Sequence, residues 1–103
     1  MADFDFTITK KDFDILKAKS TLEKGNDIFY LNVKDKKLYL GENRSTMYID
    51  DVEFEDSTLS FPKKYFNTLN FEGAESMQIW VFGTFIYAVS KVTNLLITTE
   101  LTV

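Results

Sequence analysis

The residues best suited to chemistry in this chain are its lysines. Lys10 and Lys11 stand together in "ITKKDFDIL", and Lys63 and Lys64 stand together in "FPKKYFNTL". Lys17 and Lys24 follow Lys10 at steps of seven, so on a helix these residues fall in one stripe. A set of point charges of this kind can hold phosphate oxygens without reading bases. Arginine is the usual bidentate reader of guanine, and the only one, Arg44, lies in an expected turn. Sequence-specific readout is therefore not expected. The competing reading is a solvated helix face with no ligand.

Other chemistry is scarce. The chain has no His and no Cys, so the commonest general base, thiolate metal sites and disulfides are excluded. An enzyme would have to work through Asp, Glu, Lys, Tyr or Ser, and no constellation of these stands out. No catalytic residue and no cofactor is assigned. "YIDD", Tyr48 to Asp51, is similar to a metal-binding signature of some polymerases, but nothing else of a polymerase surrounds it. Asp50, Asp51, Glu53, Glu55 and Asp56 are the right ligand type for Mg²⁺ or Ca²⁺. Adjacent strand residues point to opposite faces, so these acids do not converge, and no metal site is expected. Trp80, Phe82, Phe85 and Tyr87 surround Gly83. They suit base stacking, but core and cross-strand packing is the preferred reading.

The bulk numbers frame these residues. A length of 103 residues allows one domain with one core. The hydrophobic share of 45% and ten Phe are ample to fill it. The net charge of −4 argues against a wholesale nucleic-acid coat but leaves room for one cationic side. No apolar run approaches the roughly 20 residues of a membrane span, and "MADFDF" has no signal-peptide pattern.

The elements that must position the lysines follow from local patterns. "DFTIT" alternates and reads as a strand. "KKDFDILKAKSTLEKG" suits a helix ending at Gly25, with Thr9 and Asp12 as a weak capping box. Ile15, Leu16 and Leu22 are expected to face a sheet, with Phe13 at the boundary of the lysine stripe. Phe29, Leu31 and Val33 alternate, "KDKK" breaks the pattern, and Leu38 and Leu40 resume it, which predicts a hairpin. "TMYIDDVEF" predicts a strand with Val52 and Phe54 on one face. The second half begins again with the strand "TLSF" and the helix "PKKYFNTLNF", with Pro62 at its start, where a missing N–H costs nothing. Then come the strands "SMQIWVF", "FIYAVSKV" and "NLLITTELTV", with turns at Gly83 and at Thr93-Asn94.

Both halves thus read strand, helix, strand, strand, strand. The expected fold is α+β: one domain, 1–103, made of two pseudo-repeats of about 3–56 and 57–103. At an offset of 53, Lys10, Lys11, Phe13 and Leu16 meet Lys63, Lys64, Phe66 and Leu69. The second helix is shorter, and an offset of 47 then aligns Thr46 with Thr93 and Glu53 with Glu100.

A domain of this order, with lysine-bearing helices on one side, resembles a domain of a DNA sliding clamp. "TITKKDFDIL…IFYLNVKDKKLYLGEN" looks like the start of the C-terminal domain of the T-even phage type. The matching positions are Ile8, Asp12, Phe13 and Leu16, then Val33, Lys34, Asp35, Lys37 and Leu38. Phe61, Pro62, Lys64 and Phe66 resemble the start of the second helix in bacterial clamps. The resemblance implies a non-enzymatic processivity factor whose helices line a ring around duplex DNA, with sheets outside. It implies DNA-facing roles for Lys10, Lys11, Lys17, Lys24, Lys63 and Lys64. The implied partners are duplex DNA, a DNA polymerase, a clamp loader and further clamp domains, with no membrane, in the cytoplasm of a bacterial host. A client-peptide groove is implied near the chain's end, with Leu101, Thr102 and Val103 as the nearest positions; the competing reading there is a frayed last strand. Known clamp chains carry two or three such domains and this one carries one. The alternative function is a small non-enzymatic α+β interaction module of a phage.

Overall fold

The computed structural model describes residues 2–20, 27–42, 45–67, 69–82, 85–90 and 96–100. The elements run β1 (Phe4–Thr9), α1 (Lys10–Ser20), β2 (Ile28–Lys34), β3 (Lys37–Glu42) and β4 (Ser45–Asp51). The second half repeats the order as β5 (Ser57–Pro62), α2 (Lys63–Asn67), β6 (Ser76–Phe82), β7 (Phe85–Ser90) and β8 (Leu96–Glu100). The fold is α+β, with two helices packed on one side of antiparallel sheets.

The halves do not fold as separate blocks. One sheet has the order β1-β6-β7-β8 and the other β4-β3-β2-β5. Each half therefore lends its first strand to the other half's sheet. The register is reciprocal. Ile8 faces Met77 in the β1–β6 pair, and Phe61 faces Phe29 in the β5–β2 pair. These pairs interchange when β1 is matched to β5 at the expected offset of 53 and β2 to β6 at 48. The latter differs from the expected 47, and the match of Glu53 with Glu100 fails, because Glu53 lies beyond the end of β4. Thr93 lies outside the described residues.

Alternation explains the strands. Phe4, Phe6 and Ile8 are buried, while Asp5 and Thr9 between and after them are exposed. Phe29, Leu31 and Val33 of β2 and Leu38 and Leu40 of β3 repeat the pattern. The β2–β3 hairpin closes over Asp35 and Lys36, both at positive φ, 52° and 61°. That is the primed-turn geometry which matches strand twist. β4 stops at Asp51, short of the expected Phe54. A register shift opposite Leu38 and Tyr39 leaves Ile49 as a bulged residue, and the Val52 N–H then donates to the Lys36 carbonyl, 3.0 Å. Val52 is still buried and Phe54 still packs against the core, but from a bend.

The helices differ in length. Thr9 caps α1, its Oγ1 accepting the Asp12 N–H at 3.1 Å, as the weak capping box predicted. Gly25, its expected cap, lies outside the described residues, as do the Gly83 and Thr93-Asn94 turns. α2 is shorter than expected, ending at Asn67. A turn at Glu72 and Gly73, both at positive φ, ends the connection, with the Ala74 N–H donating to the Phe71 carbonyl. Pro62 closes β5, an edge strand, where its missing N–H leaves no ladder bond unmade.

Candidate nucleic-acid interface

The helices are positioned by phenylalanines. The Phe13 ring of α1 meets the Phe66 ring of α2 at 4.9 Å between centroids. Phe71 approaches Phe13 at 5.0 Å, and Phe29 of β2 approaches Phe66 at 4.8 Å. Phe13 is 3% exposed, a core residue rather than the boundary position expected. Leu16 is buried as expected. Ile15 is 37% exposed, contrary to its expected place against a sheet, and Leu22 lies outside the described residues. The reason is that Phe13 and Leu16, three apart, set the buried line of α1, and α2 closes over Phe13. Ile15 is turned out of that line.

Each helix is also hung from the other half's sheet. The Lys10 N–H donates to the Glu75 carbonyl at 2.7 Å, and the Lys63 N–H donates to the Asp27 carbonyl at 2.8 Å. These bonds continue the β1–β6 and β5–β2 ladders by one rung. The lysine pairs therefore begin their helices at equivalent places.

Their side chains diverge. The Lys10 Nζ pairs with Asp14 in an exposed i,i+4 contact and sits 5.5 Å from the Phe13 ring centroid and 5.9 Å from that of Phe71. The Lys17 Nζ lies 5.2 Å from the Phe13 centroid, from the other end of the stripe. Lys11 and Lys19 are exposed on α1, and Lys64 is exposed on α2 with its ammonium 5.3 Å from the Tyr65 ring. Lys63 is different. Its Nζ reaches Glu42 Oε1 at 2.7 Å, with side chains only 14% and 3% exposed. A buried ion pair of this kind holds α2 to the end of β3 and takes Lys63 away from the surface. Lys24, Leu101, Thr102 and Val103 lie outside the described residues.

The helix dipoles sort the remaining cations. Lys17 and Lys19 are in the last turn of α1, where positive charge is favourable, and Asp12 is in its first turn. Lys10 and Lys11 stand at the N-terminus of α1, where it is not; α2, five residues long, has Lys64 in its last turn as well as its first.

Four of the acids on and after β4 have partners within the protein. The Asp50 Oδ2 accepts the Thr7 N–H, the Asp51 Oδ1 accepts the Tyr48 hydroxyl, Glu53 pairs with Lys36, and the Asp56 Oδ1 accepts the Asp35 N–H. The hydrogen bond to Asp51 raises the Tyr48 phenol above its ordinary range. Among the described residues, no group of three acids is placed to hold a metal ion. Trp80 and Phe82 lie on the outward phase of β6, opposite Tyr87 and Phe85 in the ladder. Trp80 and Phe82 are thus half-buried cross-strand residues rather than core, because Met77, Ile79 and Val81 hold the inward phase; the side chains of Phe85 and Tyr87 lie outside the described ones.

Sequence reading missed Lys63's burial. One signal was available. Glu42 follows Leu38 and Leu40 at steps of two, in the inward phase of β3, so a buried carboxylate in need of a cation was legible there.

Two helices abreast beneath two sheets, each sheet closed by a strand from the opposite half, is the fold of a sliding-clamp domain. A crystal structure of a protein provisionally assigned as a DNA polymerase III beta subunit, from Eubacterium rectale, is similar to this chain with a TM-score of 0.73 and 15% sequence identity. The match covers 99% of this chain and 31% of that one. The chain thus spans less than a third of that neighbour's length. No family model matches the sequence, and no curated protein matches it. Among the described residues, no helix is long and apolar enough to cross a membrane.

Proposed function

We propose that the chain is a DNA sliding clamp, or one domain of one, that tethers a replicative polymerase to duplex DNA. The observation that carries this reading is the contact between Phe13 and Phe66, which sets two lysine-bearing helices side by side. Exposed Lys10, Lys11 and Lys64 and half-buried Lys17 then offer several weak phosphate contacts and no base-reading fork. Weak contacts suit a ring, which is held on DNA by closure rather than by affinity. The two halves, about 3–56 and 57–103, are pseudo-repeats in this reading, and their reciprocal register supports it. Further clamp domains or subunits complete the ring. Polymerase and loader tails are its clients, near Leu101, Thr102 and Val103. The likeness of "TITKKDFDIL" and "VKDKKL" favours the T-even phage type, acting in the cytoplasm of a bacterial host. The activity is non-enzymatic.

Anisotropy of a short labelled duplex, titrated across a salt series, tests the reading. The expected result is weak, salt-sensitive binding. A Lys11→Glu, Lys64→Glu double variant should lose most of it, lowering the salt slope by about two. A Lys34→Glu variant, on the β2–β3 hairpin, should bind as the parent does. Equal binding by parent and double variant would overturn the helical interface.

A further inference from the structure

The outer edge of β1 lies against β4, and the two are joined by a side chain instead of by a ladder. The bond from the Lys10 N–H to Glu75 fixes the phase of the β1–β6 ladder. Phe4, Phe6 and Ile8 direct their backbone groups at β6, and Asp5, Thr7 and Thr9 direct theirs outward. β1 is an edge of its sheet and β4 is an edge of the other. Between them, Asp50 Oδ2 accepts the Thr7 N–H at 2.9 Å, while its Oδ1 accepts the Asp51 N–H at 2.9 Å. The bulge at Ile49 aims this carboxylate across the seam. Phe4 and Phe54 close the seam below it, ring centroids 4.7 Å apart.

We propose that Asp50 is an edge guard, which holds β4 over β1 and so keeps β1 from pairing with β1 of a second copy of the chain. The β1 sequence is well suited to that pairing. With Thr7 opposite the same residue of the other copy, Asp5 falls opposite Thr9, so no like charges meet. Phe4, Phe6 and Ile8 stay on one face of both strands, and the outward amides of Asp5, Thr7 and Thr9 all find carbonyls. Such a contact is isologous and closes on itself as a dimer. A strand so complementary to itself needs a barrier, and a side-chain acceptor that occupies the central donor of the edge is one. The guard does not depend on any role in DNA binding.

Asp50→Ala tests it by two measurements on the full chain. Exchange of the Thr7 amide should accelerate about tenfold, since a bond to a carboxylate is lost. Sedimentation velocity should show a species of twice the parent's mass that grows with concentration. Either measurement remaining at the parent's value overturns the proposal. Asp50→Asn retains an acceptor oxygen and should sediment as the parent does; association of this variant would show that charge, not the bond, was the barrier, and would overturn the guard. Adding Thr7→Pro to Asp50→Ala removes the central donor and should abolish the dimer. A dimer that survives that change rules out β1 as its seam.

Discussion

Lys10 and Lys63 occupy equivalent places in the two halves and meet opposite fates. Both open a helix, and both give their backbone N–H to a carbonyl just before a strand of the opposite half. Yet Lys10 reaches an exposed Asp14 over the rim of Phe13, and Lys63 is sunk against Glu42. The backbone plan is common to the halves; the use of the charge is set by what the neighbouring sheet offers. β3 ends in an inward carboxylate, which must be paired to be buried, and the nearest helix supplies the cation. A count of lysines on helices is therefore not a count of lysines at a surface.

The comparison can be broken at three points. The largest effect should come from the contact that both helices share. Phe66→Ala should destabilise the fold by about 3–5 kcal/mol in urea unfolding, since it empties the place where Phe13, Phe29 and Phe66 meet. A loss below about 1 kcal/mol would mean that the helices are held independently of each other. Next in size is the contrast between the lysines themselves. Lys63→Met strands a buried carboxylate and should cost about 3 kcal/mol. Lys10→Met should cost no more than about 0.5 kcal/mol, because an exposed i,i+4 pair contributes little. Similar losses from the two would erase the distinction drawn here. The smallest change concerns how α1 begins. Thr9→Ala removes the oxygen that accepts the Asp12 N–H and should cost about 1 kcal/mol by thermal melting, with no effect on the α2 side.

Much of the fold was legible in the sequence. Alternation placed β1, β2 and β3 and their inward residues, and the doubled phrase around the lysines gave the order of elements in both halves. The offset of 53 matched Phe13 with Phe66 as equivalents; that their rings touch is a separate finding, which the match did not predict. What failed was nonlocal. The reach of "TMYIDDVEF" depended on a bulge that periodicity does not show, and α2 ends at Asn67, short of the helix the sequence suggested. At the candidate interface, helical spacing found the stripe but not its neighbours. Lys10 and Lys17 flank Phe13 because that ring is pressed inward by α2, a contact between residues far apart in the chain. Lys63 could be removed from the surface only by knowing that Glu42 lies beside it.

The exchange of first strands also bears on how the molecule comes into being. As the chain is synthesised, β1 emerges well before its partner, for the strand that completes it is not made until Gln78 and its neighbours appear. Closing so long a loop is entropically costly and slow. Until then the side of β1 that β6 will pair is open, so the nascent first half is a stage at which this protein is exposed to aggregation and to chaperone capture.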